Sequence, residues 1–175
     1  MKKNFLALTL VLSTFLFLSS CKKSDPAPAG GTATASGLAA GKCDIRFSYS
    51  GAISGSFAST IAISSAASSG VLYNMSGSTL NGVTPQIMLM LMPTNTAVGT
   101  YTQPSAGADL PNSMVCSFSS GSDGWASGGG TAAGFKIIVT AVTANTIEGT
   151  FSGELGSDAN TSKVTITNGS FAAKF

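Results

Sequence analysis

The sequence contains no histidine. That absence removes the commonest general base of serine and cysteine hydrolases, and the commonest ligand of zinc and copper. Serine–lysine catalysis would need a Ser-x-x-Lys or Gly-x-Ser-x-Gly spacing, and beyond Cys21 neither occurs. A glycosidase needs two carboxylates at a set separation, yet only Asp44, Asp109, Asp123, Glu148, Glu154 and Asp158 lie beyond Cys43. Glu148 and Glu154 are six apart on one expected strand, about 20 Å at ~3.3 Å per residue, so they read as solvated surface groups. No Asp-x-[Asp/Asn]-x-[Asp/Asn]-Gly loop for calcium is present, and Asp158 with Asn160 suits a turn. Met88, Met90 and Met92 alternate with Leu89 and Leu91. Alternate thioethers could form a soft copper site, but the continuous apolar run favours a core strand that they help to fill. The expectation is a protein that is not an enzyme and uses no cofactor or metal.

The best candidate for a binding loop is 121–130, where the single tryptophan, Trp125, stands among glycines with Asp123, Ser122 and Ser127 beside it. Two readings compete. An exposed indole flanked by a carboxylate and hydroxyls would offer a sugar a stacking plane with hydrogen-bonding groups beside it. Alternatively the ring folds back as a plug over one end of the domain, since leaving it in water forfeits about 2 to 3 kcal/mol.

Lys2 and Lys3 precede an apolar run from Phe5 to Leu18, the order of charge then hydrophobe that marks a secretory signal. Fourteen residues make about 21 Å of helix, short of the ~30 Å hydrocarbon core, so cleavage is expected rather than a permanent span. Leu18-Ser19-Ser20-Cys21 resembles the lipobox of bacterial lipoproteins, which implies removal of 1–20 and a diacylglyceryl group on the Cys21 thiol. Residues 21–41, rich in Pro, Ala, Gly and Ser, read as a lipidated cysteine followed by a flexible linker.

With Cys21 acylated, Cys43 and Cys116 are the two thiols left. An oxidising export route and matching inward parity on two strands suggest a disulfide between them. Two buried free thiols are the alternative. Counting from Cys21, seven bases face seven acids, and the bases are scattered. Without a basic stripe to neutralise phosphates, a nucleic-acid partner is excluded.

Residues 42–175 must position these groups, and there the dominant pattern is alternation with period two. Cys43, Ile45, Phe47 and Tyr49 share one face, as do Ile53, Phe57, Ile61 and Ile63; Met114, Cys116 and Phe118; Phe135, Ile137, Val139 and Ala141; and Ile147, Phe151 and Leu155. Val164 and Ile166 lead to Phe171 at the wrong parity, so Asn168-Gly169 must hold a bulge or turn. Charged residues are only 9% of the chain, leaving a surface of hydroxyls and small side chains that suits strands. The expected fold is all-β, an antiparallel sandwich or barrel of about eight strands. Gly55-x-Phe57, Gly149-x-Phe151 and Gly169-x-Phe171 read as aromatic rings laid over neighbouring glycines.

Ile147-Glu148-Gly149-Thr150-Phe151 and Val164-Thr165-Ile166-Thr167-Asn168-Gly169-Ser170-Phe171, with Gly99-Thr100-Tyr101 in mid-chain, resemble the motifs of uncharacterised Bacteroidetes-type lipoproteins. The resemblance implies a small all-β domain tethered by lipid in the cell envelope, at the outer membrane in its periplasmic or surface leaflet. It implies no activity. The expected function is a membrane-anchored, non-catalytic binding or adhesion module for a glycan or an envelope protein. A structural or accessory envelope protein is the alternative.

Overall fold

A computed structural model describes residues 32–69, 72–79, 85–92, 97–103, 113–130 and 132–175. The described chain is all-β. Its strands are β1 (Lys42–Gly51), β2 (Gly55–Ala58), β3 (Ser65–Ser68), β4 (Tyr73–Ser78), β5 (Gln86–Met92), β6 (Gly99–Thr102), β7 (Ser113–Ser120), β8 (Asp123–Ala126), β9 (Lys136–Val142), β10 (Thr146–Gly156) and β11 (Lys163–Lys174). They form one coiled sheet in the order β2-β1-β11-β10-β9-β6-β7-β5-β4-β3, with β8 bridging β10 and β7. The ring β10-β9-β6-β7-β8 closes on itself as a five-stranded barrel, and the remaining strands extend from it.

Alternation carries the core: Cys43, Ile45 and Phe47 of β1, Ile137 and Val139 of β9, Ile147, Phe151 and Leu155 of β10, and Val164, Ile166 and Phe171 of β11 all point inward and are buried. The parity break in β11 is a bulge. Its register shifts against both β1 and β10, and Asn168 takes φ 52°, a left-handed conformation that asparagine tolerates. Around it the Gly-x-Phe pattern works reciprocally, because Gly149 pairs with Phe171 and Phe151 with Gly169. A Cβ on either glycine would meet the facing ring at 2.7 Å, so each ring occupies the space that its partner's missing side chain leaves.

Three expectations need correction. The apolar residues from Ile53 to Ile63 do not make one strand: β2 ends at Ala58, a 3-10 turn follows over Ile61–Ile63, and Ile61 and Ile63 are exposed. The cause is visible in two buried serines. Ser59 Oγ accepts from Ile45 N at 2.9 Å and Ser64 Oγ from Cys43 N at 3.0 Å, so side chains satisfy the amides of β1 that a continued strand would have paired.

The second correction concerns β5, which is not covered on both faces. Ile87, Leu89 and Leu91 are buried, whereas Met88, Met90 and Met92 are half-buried on the opposite, outward face. The methionines therefore do not fill the core. The third concerns the linker, whose last residues are not free chain. Ala33, Ala35 and Leu38 bury themselves against Ala172 on the outward face of β11. Ala33 N donates to Ser170 Oγ and Ala35 N to the Glu148 carboxylate. Glu148 thus ties this strap to β10 instead of standing only in solvent. Small outward residues, Ser170 and Ala172, leave the trough in which an extended segment lies.

Candidate functional site

An open cleft of about 870 Å³ lies at the end of the sheet where β4, β7 and β10 finish and β5 and β8 begin. Its buried lining includes Gly77, Ile87, Phe118 and Trp125, and its exposed lining includes Ile63, Gln86, Asp123, Asp158 and Asn160. Serines 76, 117, 119 and 122 add hydroxyls, and Met88 adds a thioether.

The structure decides between the two readings of Trp125. The ring is 4% exposed and belongs to β8, paired with Phe118 of β7. It stacks on the Phe118 ring at a centroid distance of 6.0 Å and an angle of 27°. The indole N–H donates to Ser162 Oγ at 2.9 Å. Within the segment expected to be a binding loop, Asp123–Ala126 is thus a strand, and its tryptophan seals the end of the core, so the exposed stacking platform is withdrawn. Ser127 is also committed, since its Oγ accepts from Cys116 N at 2.9 Å and its own N donates to Cys116 O at 2.8 Å. Asp123 keeps an exposed carboxylate on the cleft.

The opposite lip is the β10–β11 connection. Asn160 Oδ1 accepts from Ser162 N at 2.8 Å, a local bond by which such residues shape turns, while Asp158 Oδ1 accepts from Gly130 N, 28 residues away, at 2.8 Å. Ser162 therefore joins this lip to the indole. Beneath it, Gly129 and Gly156 approach so closely that a Cβ on either would strike the carbonyl of the other. This contact lets β8 reach β10 and closes the barrel under the cleft.

Two carboxylates and no lysine or arginine line the cleft, so its field disfavours anions and suits neutral or cationic ligands. An apolar bed under a rim of hydroxyl, amide and carboxylate groups is the usual make-up of a small-molecule site, and the volume lies in the usual range of ~300–1,000 Å³. Among the described residues no cluster of three or more Cys, Asp or Glu could hold a metal ion.

The expected Cys43–Cys116 disulfide is absent, and both cysteines are free and buried. Inward parity was right for both, but parity does not say which strand a side chain meets. Cys43 Sγ donates toward Ser65 O and Ser76 O, at 3.3 Å each, so its thiol faces β3 and β4. Cys116 pairs with Leu89, and β5 lies between it and β4. The two thiols therefore face different neighbours, Cys43 the carbonyls of β3 and β4 and Cys116 the ladder of β5. Burial pushes the Cys43 thiol up to about 11, and complete burial raises Cys116 as well. Both are inert as nucleophiles at neutral pH. Glu154, at the far end of β10 from Glu148, pairs with Lys163 at 3.0 Å, and that partner holds its carboxyl below the usual range. Cys21 lies outside the described residues.

No family model matches the chain, and neither do the curated proteins or the solved structures with which it was compared.

Proposed function

We propose that the mature protein is a cell-envelope lipoprotein, anchored through Cys21, that binds a neutral or amino-bearing glycan segment in the cleft without transforming it. The observation that carries this reading is the lining: an apolar bed ending in Trp125, a rim with Asp123, Asp158, Asn160 and Gln86, and no base. Sugars present an apolar ring face and outward hydroxyls, which match such a bed and rim. An acidic glycan would meet two carboxylates with no compensating cation. The second reading, an accessory envelope protein, draws on the edge strand β2, which among the described strands pairs only with β1 and so has an open side for another chain.

Trp125 is the single tryptophan and lines the cleft, so its emission reports occupancy. Titrating the protein with neutral, aminated and acidic oligosaccharides should change that emission for the first two classes and leave it unchanged for the third. Silence toward every glycan, with co-purification of an envelope protein that Lys substitutions in β2 abolish, would favour the accessory reading instead.

A further inference from the structure

The outward face of β5 carries the most unusual chemistry outside the cleft. Met88, Met90 and Met92 stand in one row there, each half-buried, whereas Met75 and Met114 are wholly inside the core. Hydrophobic burial accounts for Met75 and Met114 but leaves the outward row unexplained. Across the ladder, Met88 lies between Ser76 and Ser117, and Met90 between Asn74 and Val115. The rows flanking the thioethers therefore hold no charged and no titrating group. With no histidine in the chain and both Cys43 and Cys116 buried, these are the accessible soft donors among the described residues.

We propose that this row binds a soft monovalent cation, Cu(I) or Ag(I), through the thioethers of neighbouring methionines. A neutral, polarisable sulfur prefers such ions to hard ones, so calcium, magnesium and zinc are poor competitors. Strand geometry sets which residues can cooperate. Positions i and i+2 are about 6.7 Å apart and i and i+4 about 13 Å. Two flexible side chains close the shorter gap around one ion, and Met88 and Met92 cannot close the longer one. The row is thus two overlapping pairs, 88 with 90 and 90 with 92, and Met90 belongs to both. The inference is independent of the glycan reading, since only Met88 touches the cleft.

The overlap gives a test with an internal hierarchy. The full chain, labelled with carbon-13 at its methionine methyl groups, is titrated with Ag(I), which needs no reductant, and followed by NMR. The Met88, Met90 and Met92 methyl signals should shift at micromolar Ag(I), with Met75 and Met114 unmoved. Met90→Leu, which nearly conserves volume on a half-exposed face, should weaken binding at least tenfold. Met88→Leu and Met92→Leu each leave one pair and should weaken it about twofold. Affinity should be the same at pH 5.5 and 7.5, because a thioether holds no proton that the ion must displace. Methyl signals that do not move, wild-type affinity in Met90→Leu, or an affinity that falls steeply at pH 5.5 as thiolate binding requires would each overturn the assignment.

Discussion

The β10–β11 half of the molecule and the cleft end solve the same packing problem by different means. Along β10 and β11, strands of eleven and twelve residues pair over almost their whole length, and aromatic rings fill the space over glycines. Phe151 packs against Phe47, Phe135 and Phe171. At the cleft end β8 has four residues, and much of the closure is made by side chains: Ser127 to Cys116, the indole to Ser162, Asp158 to Gly130. A half built on main-chain ladders and ring contacts resists local change. A half stitched by single hydrogen bonds can keep an open cavity, because it does not need complete filling to hold its shape.

The sharpest way to break this comparison is to remove a ring from the first half. Phe151 is 2% exposed, and Phe151→Ala would leave a void above Gly169 that neighbouring rings cannot fill without losing their own contacts. A loss of about 3–5 kcal/mol is expected, read as a lowered denaturation midpoint. A cost below about 1 kcal/mol would show that the aromatic cluster is looser than its geometry.

The next effect crosses both halves, since Cys43 lies in β1 and Cys116 in β7. Both thiols have raised folded values, so the protonated forms that the core prefers contribute stability that is complete below the unfolded value near 9. That stability is lost as pH rises from there toward the folded values, because the unfolded chain releases protons that the folded chain retains. For Cys43, with a folded value of about 11, the loss approaches ~1.4 kcal/mol per pH unit above 9. Stability measured from pH 8 to 10.5 should fall accordingly, and Cys43→Ala should flatten that slope. Unfolding without reductant should expose both thiols to a colorimetric reagent. A molecule in which neither reacts would restore the disulfide.

Much of this architecture is legible in the chain, and the failures have physical causes. Period-two alternation marks β1, β7, β9, β10 and β11, because in each the inner face is apolar and the outer largely polar; Val115, Ile138 and Ala172 are outer exceptions, and in β9 the pattern fails at Ala141, which a register shift leaves exposed. The bulge at Asn168 follows from parity alone. The strand β8 is hidden because its neighbours are glycines and serines, and only pairing with β7, a tertiary fact, makes it a strand. The Ile61–Ile63 turn mimics alternation, while Ser59 and Ser64 end the ladder through bonds that no pattern reveals. In β5, leucine and methionine are equally apolar, so the sequence does not show which face the sheet leaves open. Trp125 and Asp123 line the cleft, but the indole is buried, the plug of the two arrangements that the sequence left open. On the other lip Asn160 does shape the turn, through Ser162 N; hidden in the sequence are the reach of Asp158 to Gly130, 28 residues away, and of Ser162 to Trp125, 37 residues away.

The smallest expected effect tests how the cleft is held. Ser162 Oγ accepts from the indole N–H and its backbone N donates to Asn160, so one residue ties the lip to the bed. Ser162→Ala removes only the hydroxyl. The turn bond from its backbone survives, while the indole loses a partner that only water can replace. A cost of about 1 kcal/mol is expected, small beside that of Phe151→Ala because no cavity of consequence forms. The informative readout is not stability. If the bond fixes the indole beneath the lip, Ser162→Ala should red-shift the Trp125 emission and make it quenchable by iodide, as water enters between ring and loop. The denaturation midpoint should fall far less than in Phe151→Ala while this happens. Emission unchanged from the parent protein would mean that stacking on Phe118 alone holds the ring. The cleft end would then be built on ring contacts like the rest of the core, and the contrast between the two halves would fail where it is most specific.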